Sequence, residues 1–366
     1  MSTKRNHAGK MLAMLSLMCA VAASAAFGAE GALARGGQGN GQDPLFLTAT
    51  NPAGAANFLA VVDTRNKETD YVPTGGNGGA SGNAGGVAVA GQLAAVVNFG
   101  SSSVTIFVRQ GNAMQPTQMV KTTSKPVSVA FGHDHLIVLC LTTAESFPVY
   151  GNSVGANDGI VPLQIGDGSA GQIVTYSGGA VYTEKSGGIG ELSLSTDGMA
   201  GLSGPSVSVA LPPAPNNSTP LGMVARGANV YVTIAHSDLE VLVVRGQIIS
   251  MAAGPTPFKD SAGNLLHAPC WNALSGQFLY SSDSPGKQLL RYLVSDNSVF
   301  FDKAAVANLG GGPTDLDIKG SLLGVIDGGD GVNSNVSLFD IDSEGELTLR
   351  FAVKIPSPIN GAAIIQ

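Results

Sequence analysis

The sequence predicts an all-β chain: a seven-bladed β-propeller of four-stranded blades, closed by its own C-terminal strand. Three observations carry this expectation: one stretch that holds four strands, its recurrence at a steady period, and two chain ends that are each incomplete alone. The stretch is residues 84–121, where short apolar runs at 86–90, 93–97, 104–108 and 117–121 are separated by Gly, Asn, Ser and Gln. Such breaks are turns, and each run has the length of a strand. Four strands joined by tight turns form one antiparallel meander, the size of one blade.

The period comes next. A proline or small residue followed by an apolar strand appears at Ala84, Pro126, Ala170, Pro220, Pro269, Pro313 and Asn360, in steps of 42 to 50 residues. A four-stranded blade needs about 40–50 residues, so these starts mean seven blades. Before the first full blade stand three strands, at 45–50, 58–63 and near 69–73, one short of a blade. The last residues, 361–366, read as an innermost strand with nothing after it. The C-terminal strand is therefore expected to complete the N-terminal blade, pairing an edge otherwise left open. No segment carries a helical period.

Composition agrees. With 44% hydrophobic and 12% charged residues, and 50 glycines lacking a G-X-Y period, the chain is neither collagenous nor disordered. Lys4, Arg5 and Lys10 precede an apolar run from Met11 to Phe27 and a small-residue zone, the pattern of a signal peptide over 1–29. A Gly/Gln/Asn leader over 30–43 follows, then a single propeller over 44–366. Secretion or a periplasmic location is the expectation, with no membrane association after signal removal. Losing 1–29 removes three positive charges and no negative ones, taking the formal charge from −7 to −10. So acidic a chain is a poor partner for nucleic acid. Cys140 and Cys270 remain, in blades nearly opposite each other, and no disulfide or C-x-x-C site is expected.

Four segments now carry a resemblance: YVPTGGNGG from Tyr71, VYTEK from Val181, APCWNA from Ala268 and GGPTDLDI from Gly311. Together they resemble the secreted branch of the seven-bladed lactonase-like propeller family, which includes 6-phosphogluconolactonases and 3-carboxy-cis,cis-muconate cyclases. The resemblance implies the propeller fold over the mature chain and a lactonase or cycloisomerase activity. It also implies an Arg–His pair opening an inner strand and a Glu after the second strand of that blade. In the blade beginning at Pro220 these positions read Leu221, Gly222 and Ile234, so this chain departs from the pattern.

Topology supplies a second route to a site. Loops leaving each second strand share a face with loops entering each inner strand, and that face collects Glu184, His236 and His267 from consecutive blades. A carboxylate with two imidazoles can act as general base and acid in lactone opening or enolate protonation. No arginine falls in the predicted ring, which disfavours phosphorylated or carboxylated substrates. Gly151–Gly155 matches G-x-S-x-G but lacks a helix to follow it. His133 and His135 have chelating spacing but sit on a hairpin away from this face. The oxygen-rich run 327–335 fails the EF-hand spacing. No cofactor and no metal is expected. Two functions remain: a lactonase-like enzyme using Glu184, His236 and His267 at the channel mouth, or a non-catalytic monomer binding a protein, glycan or small ligand by its loops.

Overall fold

The computed structural model describes residues 43–194, 201–209, 219–235, 239–244, 248–253, 267–295 and 298–366. The expected signal peptide, and the leader as far as residue 42, lie outside them. Six sheets have four antiparallel strands each, as expected. Their innermost strands are Val87–Ala90, Ala170–Tyr176, Pro220–Arg226, Pro269–Ser275, Pro313–Lys319 and Ile359–Ile365. Four of these begin at the repeat position read from the sequence. Proline suits the first residue of a strand, where no ladder N–H is needed.

The expectation of uniform blades needs one correction. The sheet that starts at Pro126–Gly132 has five strands. Its third strand, Thr143–Tyr150, pairs outward with Gly159–Pro162 through Thr143–Ser146 and with Ser153–Val154 through Val149 and Tyr150. Pro148 lies between the two pairings. It has no N–H to offer, so the outer ladder breaks there and two short strands share the edge.

The inner strands lie side by side in chain order from Val87–Ala90, through Pro126–Gly132, to Ile359–Ile365, and the last returns to the first. Second strands Leu45–Thr50, His135–Cys140 and Leu322–Asp327 are buried at every position. Each sheet is sandwiched between two neighbours, so both faces of these strands are apolar. One such core joins Phe46, Ala60 and Val62 to Leu322, Ile326 and Leu338 of the preceding sheet. Outer strands such as Leu347–Pro356 alternate with solvent. Phe99–Ser101, one 3₁₀ turn, is the only helical element among the described residues.

The C-terminal strand closes the ring as the two incomplete ends require. Ile359–Ile365 pairs antiparallel with Leu45–Thr50, from Leu45 opposite Ile365 to Thr50 opposite Ile359. At the seam with Val87–Ala90, Gly86 and Gly361 meet. A Cβ on Gly361 would stand 2.3 Å from Val87 N, so only glycine permits this approach. Arg109, 3% exposed, fastens the joint. Its Nη1 donates to Ile365 O at 2.9 Å, its Nε to Gly111 O at 2.8 Å, and its Nη2 to Asp43 O. One guanidinium thus ties both chain termini of the propeller to the second blade. Arg109→Leu leaves these carbonyls unpaired and is expected to cost about 3 kcal/mol. Urea unfolding, read as a lowered midpoint at unchanged slope, checks this.

Candidate functional site

The site is a channel along the axis of the ring, and its shape follows from one segment. Residues 80–86, which lead into Val87–Ala90, reach across the starting ends of the inner strands. Asn83 Nδ2 donates to Ala170 O at 2.8 Å, Gly85 O accepts Val129 N–H at 2.7 Å, and Gly85 N donates to Asp315 Oδ2 at 2.8 Å. Ala84, fully buried, packs in one cluster with Leu221, Trp271 and Leu316. With Gly86 also against Asn360 of the closing sheet, the segment meets all six other sheets and seals this mouth as a plug. That explains why the strand begins at Val87 and not at the repeat position Ala84.

The opposite mouth is open. Along Pro126–Gly132, Ala170–Tyr176 and Pro220–Arg226 the first four residues are buried and the last three half-buried. Exposure thus rises toward the hairpin turns. The cavity between has a volume of about 320 Å³, the size of a small-ligand site. Val89, Phe131, Ala225 and Leu274 contribute apolar wall.

Two carboxyls stand in that wall, on one strand. Asp315 and Asp317 are two residues apart, which in a strand puts both side chains on one face. Asp315 is buried. Its Oδ2 accepts N–H from Gly85 and from Ala362 at 3.1 Å, and its Oδ1 accepts Leu316 N–H at 2.9 Å. Asp317 is half-buried, and its Oδ2 accepts Ile364 N–H at 2.7 Å. Burial pushes the Asp315 carboxyl up to about 7, against the three amide bonds, with Asp317 nearby adding to the rise. Burial likewise pushes Asp317 up to about 6, opposed by amide donors and by Lys319. Two adjacent acids thus titrate as a pair near neutrality, the range proton transfer needs.

Of the residues predicted from topology, Glu184 and His267 lie at the plugged end. Glu184 is fully buried, and its Oε2 and Oε1 accept the amides of Ile165 at 2.9 Å and Gly166 at 2.7 Å. His267 Nδ1 stands 2.8 Å from Asp283 Oδ2, which also accepts Gln288 Nε2 at 2.7 Å. No described contact joins Glu184 to His267, and His236 lies outside the described residues. Glu184, Asp283 and Asp327 occupy equivalent positions, each opposite the first residue of its inner strand. Each binds loop amides of its own blade; Asp327 Oδ1 takes Gly329 N–H and Asn335 Nδ2, both at 2.8 Å. Glu184 is one of this set of loop ties. The other carboxylate of the oxygen-rich run, Asp330, binds the amides of Val332 and Asn333 and lies 3.1 Å from Lys354 Nζ.

The remaining motifs resolve into local structure. His133 Nε2 meets Tyr176 O at 2.7 Å, while His135 Nε2 meets Asp158 Oδ2 at 3.0 Å, so the two rings serve different partners. Cys140 is buried, and burial raises its thiol pKa, while Cys270 is half-buried and its Sγ donates to Ala268 O at 3.1 Å; the two are not joined in a disulfide. Leu221 and Ile234 are core residues. A Cβ on Gly222 would stand 2.2 Å from Cys270 O, so no histidine fits there. Sequence reasoning missed Asp317. The available signal was the D-x-D alternation inside the strand PTDLDIK.

No protein-family profile and no curated protein matches the sequence. Solved structures do match the fold. A periplasmic gluconolactonase from Pseudomonas aeruginosa superposes with TM-score 0.65 at 16% identity, over 88% of this chain and 99% of that one. A putative 6-phosphogluconolactonase from Bacteroides fragilis gives 0.63 at 13%, over 89% and 99%. Virginiamycin B lyase from Staphylococcus aureus gives 0.54 at 12%, over 78% and 92%. The chain shares the fold of 6-phosphogluconolactonase-like β-propellers.

The raised carboxyls set the sign of a pH effect. A carboxyl with a folded pKa above its unfolded value holds its proton longer in the native state, so stability falls as pH rises from about 4 to about 7. Thermal unfolding of the wild type should occur at higher temperature at pH 5.5 than at pH 8. The double variant Asp315→Asn, Asp317→Asn should lose most of that difference.

Proposed function

We propose that the chain is a lactonase-like β-propeller that opens a small lactone inside its central channel. The observation that carries this reading is the Asp315–Asp317 pair set in the wall of a ligand-sized cavity with one open mouth. The five-stranded sheet is then the irregular member of a seven-bladed ring. In its ionised form Asp317, the more exposed carboxyl, takes a proton from water as the water oxygen bonds to the acyl carbon. Collapse of the tetrahedral adduct breaks the bond to the ring oxygen, and Asp315 in its neutral form returns a proton to that oxygen. Lactone and water give the hydroxy acid, with each carboxyl exchanging its proton with solvent. The gluconolactonase neighbour supports this reaction class and an exported setting, as does the signal-like N-terminus.

The loop-face set of Glu184, His236 and His267 is the rival location for the same chemistry. A second function, non-catalytic ligand binding, is favoured by one observation: the family's Arg–His–Glu positions hold the buried, apolar Leu221 and Ile234 and a Gly222 that leaves no room for histidine. A hydrolysis panel of small lactones, followed by pH-stat, separates the three. The proposal expects turnover with a bell-shaped pH dependence between limbs near 6 and 7. Asp317→Asn should lower kcat/KM by roughly 100-fold or more. Turnover that survives this change but is lost in Glu184→Gln moves the chemistry to the loop face. A folded protein inert toward the whole panel sinks the enzymatic reading.

A further inference from the structure

The channel wall carries charge of only one sign among the described residues. Besides Asp315 and Asp317 it presents Asn272, which is 5% exposed. The Asn272 Nδ2 is turned to two carbonyls, Gly222 O at 3.3 Å and Tyr231 O at 3.5 Å. Carbonyl oxygens only accept, so this fixes the nitrogen on their side. The Asn272 Oδ1 is buried without a hydrogen-bond partner. That oxygen has no accessible surface, so the charge the wall presents comes from the two acids on the neighbouring inner strand. Its other polar side chains, Gln172 and Thr175, are neutral: Gln172 Oε1 accepts Met223 N–H at 2.6 Å, and Thr175 donates to Phe131 O at 2.8 Å. No lysine, arginine or histidine lines the cavity among the described residues.

An anion brought here loses its hydration and meets two acids with no cationic side chain to compensate its charge. Burying an unpaired charge is among the costliest events in a protein interior. We propose that the channel rejects anions, and that its substrate is a neutral or amine-bearing cyclic ester instead of a phosphorylated or carboxylated one. Asp317, the more exposed of the two acids, is the residue that imposes this selection by its charge. The inference rests on the channel being the binding site, but not on turnover. A bare metal ion is a poorer fit than an organic cation. Asp315 already holds three amides, and the cavity is far larger than an ion.

Ionisation sharpens the selection. Above about pH 7 both acids are charged, whereas below about 6 both are largely neutral. Lys319 lies at the end of the same strand. The strands packed against Pro313–Lys319 carry Asp327, Asp283, Tyr280 and Cys270, while Ile359–Ile365 and the plug bring no titratable group. Opposing cationic charge from the packed strands is therefore absent among the described residues.

Three ligands of one shape test the inference by calorimetry on the mature chain: cyclohexanecarboxylate, cyclohexanol and cyclohexylamine, at pH 8 and pH 5.5. At pH 8 the carboxylate should bind at least about tenfold more weakly than cyclohexanol, and the amine at least as tightly as cyclohexanol. At pH 5.5 the amine should lose its advantage. Asp317→Asn should narrow the gap between carboxylate and alcohol; if that variant does not fold, the wild-type series decides alone. Carboxylate binding as tight as cyclohexanol overturns the inference, as does failure of all three ligands at millimolar concentration. Calcium alone reproducing the amine's heat and its dependence on Asp317 also overturns it. An ordered ligand series without lactone hydrolysis keeps the charge selection and removes only the enzymatic reading. Turnover of a phosphorylated lactone removes only the charge selection.

Discussion

The pairing of Ile359–Ile365 with Leu45–Thr50 is the contact on which the rest of the molecule depends. A ring of sheets has no outer frame, so every blade is held by its neighbours, and one unpaired inner strand would leave two cores open at once. Phe46 and Val62 pack on one side of the closing sheet and Leu47 and Val61 on the other, so both interfaces require the strand that Ile364 and Ile365 complete. Arg109 adds fixed charge to that joint by holding carbonyls from both chain termini. Burial lowers the Arg109 pKa despite Asp43 and Asp63 nearby, yet an arginine stays protonated at any ordinary pH, which suits a structural clamp.

The closing strand also shapes the channel. Ala362 and Ile364 donate their amides to Asp315 and Asp317, so the carboxyls are positioned by the same strand that shuts the ring. Asp315 further holds Gly85 of the plug. One side chain thereby joins the last inner strand, the sealing segment and the wall of the cavity. Closure, sealing and the placement of the acids are one connected arrangement.

The fold was legible in the sequence to a useful depth, because proline or a small residue marks the start of most inner strands and glycine marks the turns. Pro126, Ala170, Pro220, Pro269 and Pro313 are each the first residue of an observed strand. The strand expected at 86–90 is observed as Val87–Ala90, while the plugging role of the small, glycine-rich residues before it is visible only in tertiary contact. The split edge beside Pro148 was legible in principle, since a proline inside a run demotes it. The site was less legible. Glu184 carries the same symbol whether it faces solvent or binds the amides of Ile165 and Gly166, and its repeat equivalents Asp283 and Asp327 become recognisable only once the registers align. Asp317 was hidden for the opposite reason: it lies inside a strand, where polar residues are not sought.

The plug of residues 80–86 makes the cavity a blind well. A through-channel lets a new molecule follow the old one in a single direction, whereas a blind well holds its occupant until that occupant backs out. Arrival and departure share one doorway and exclude each other in time. Whatever the well holds, its residence is set by the escape of the previous tenant as much as by the approach of the next.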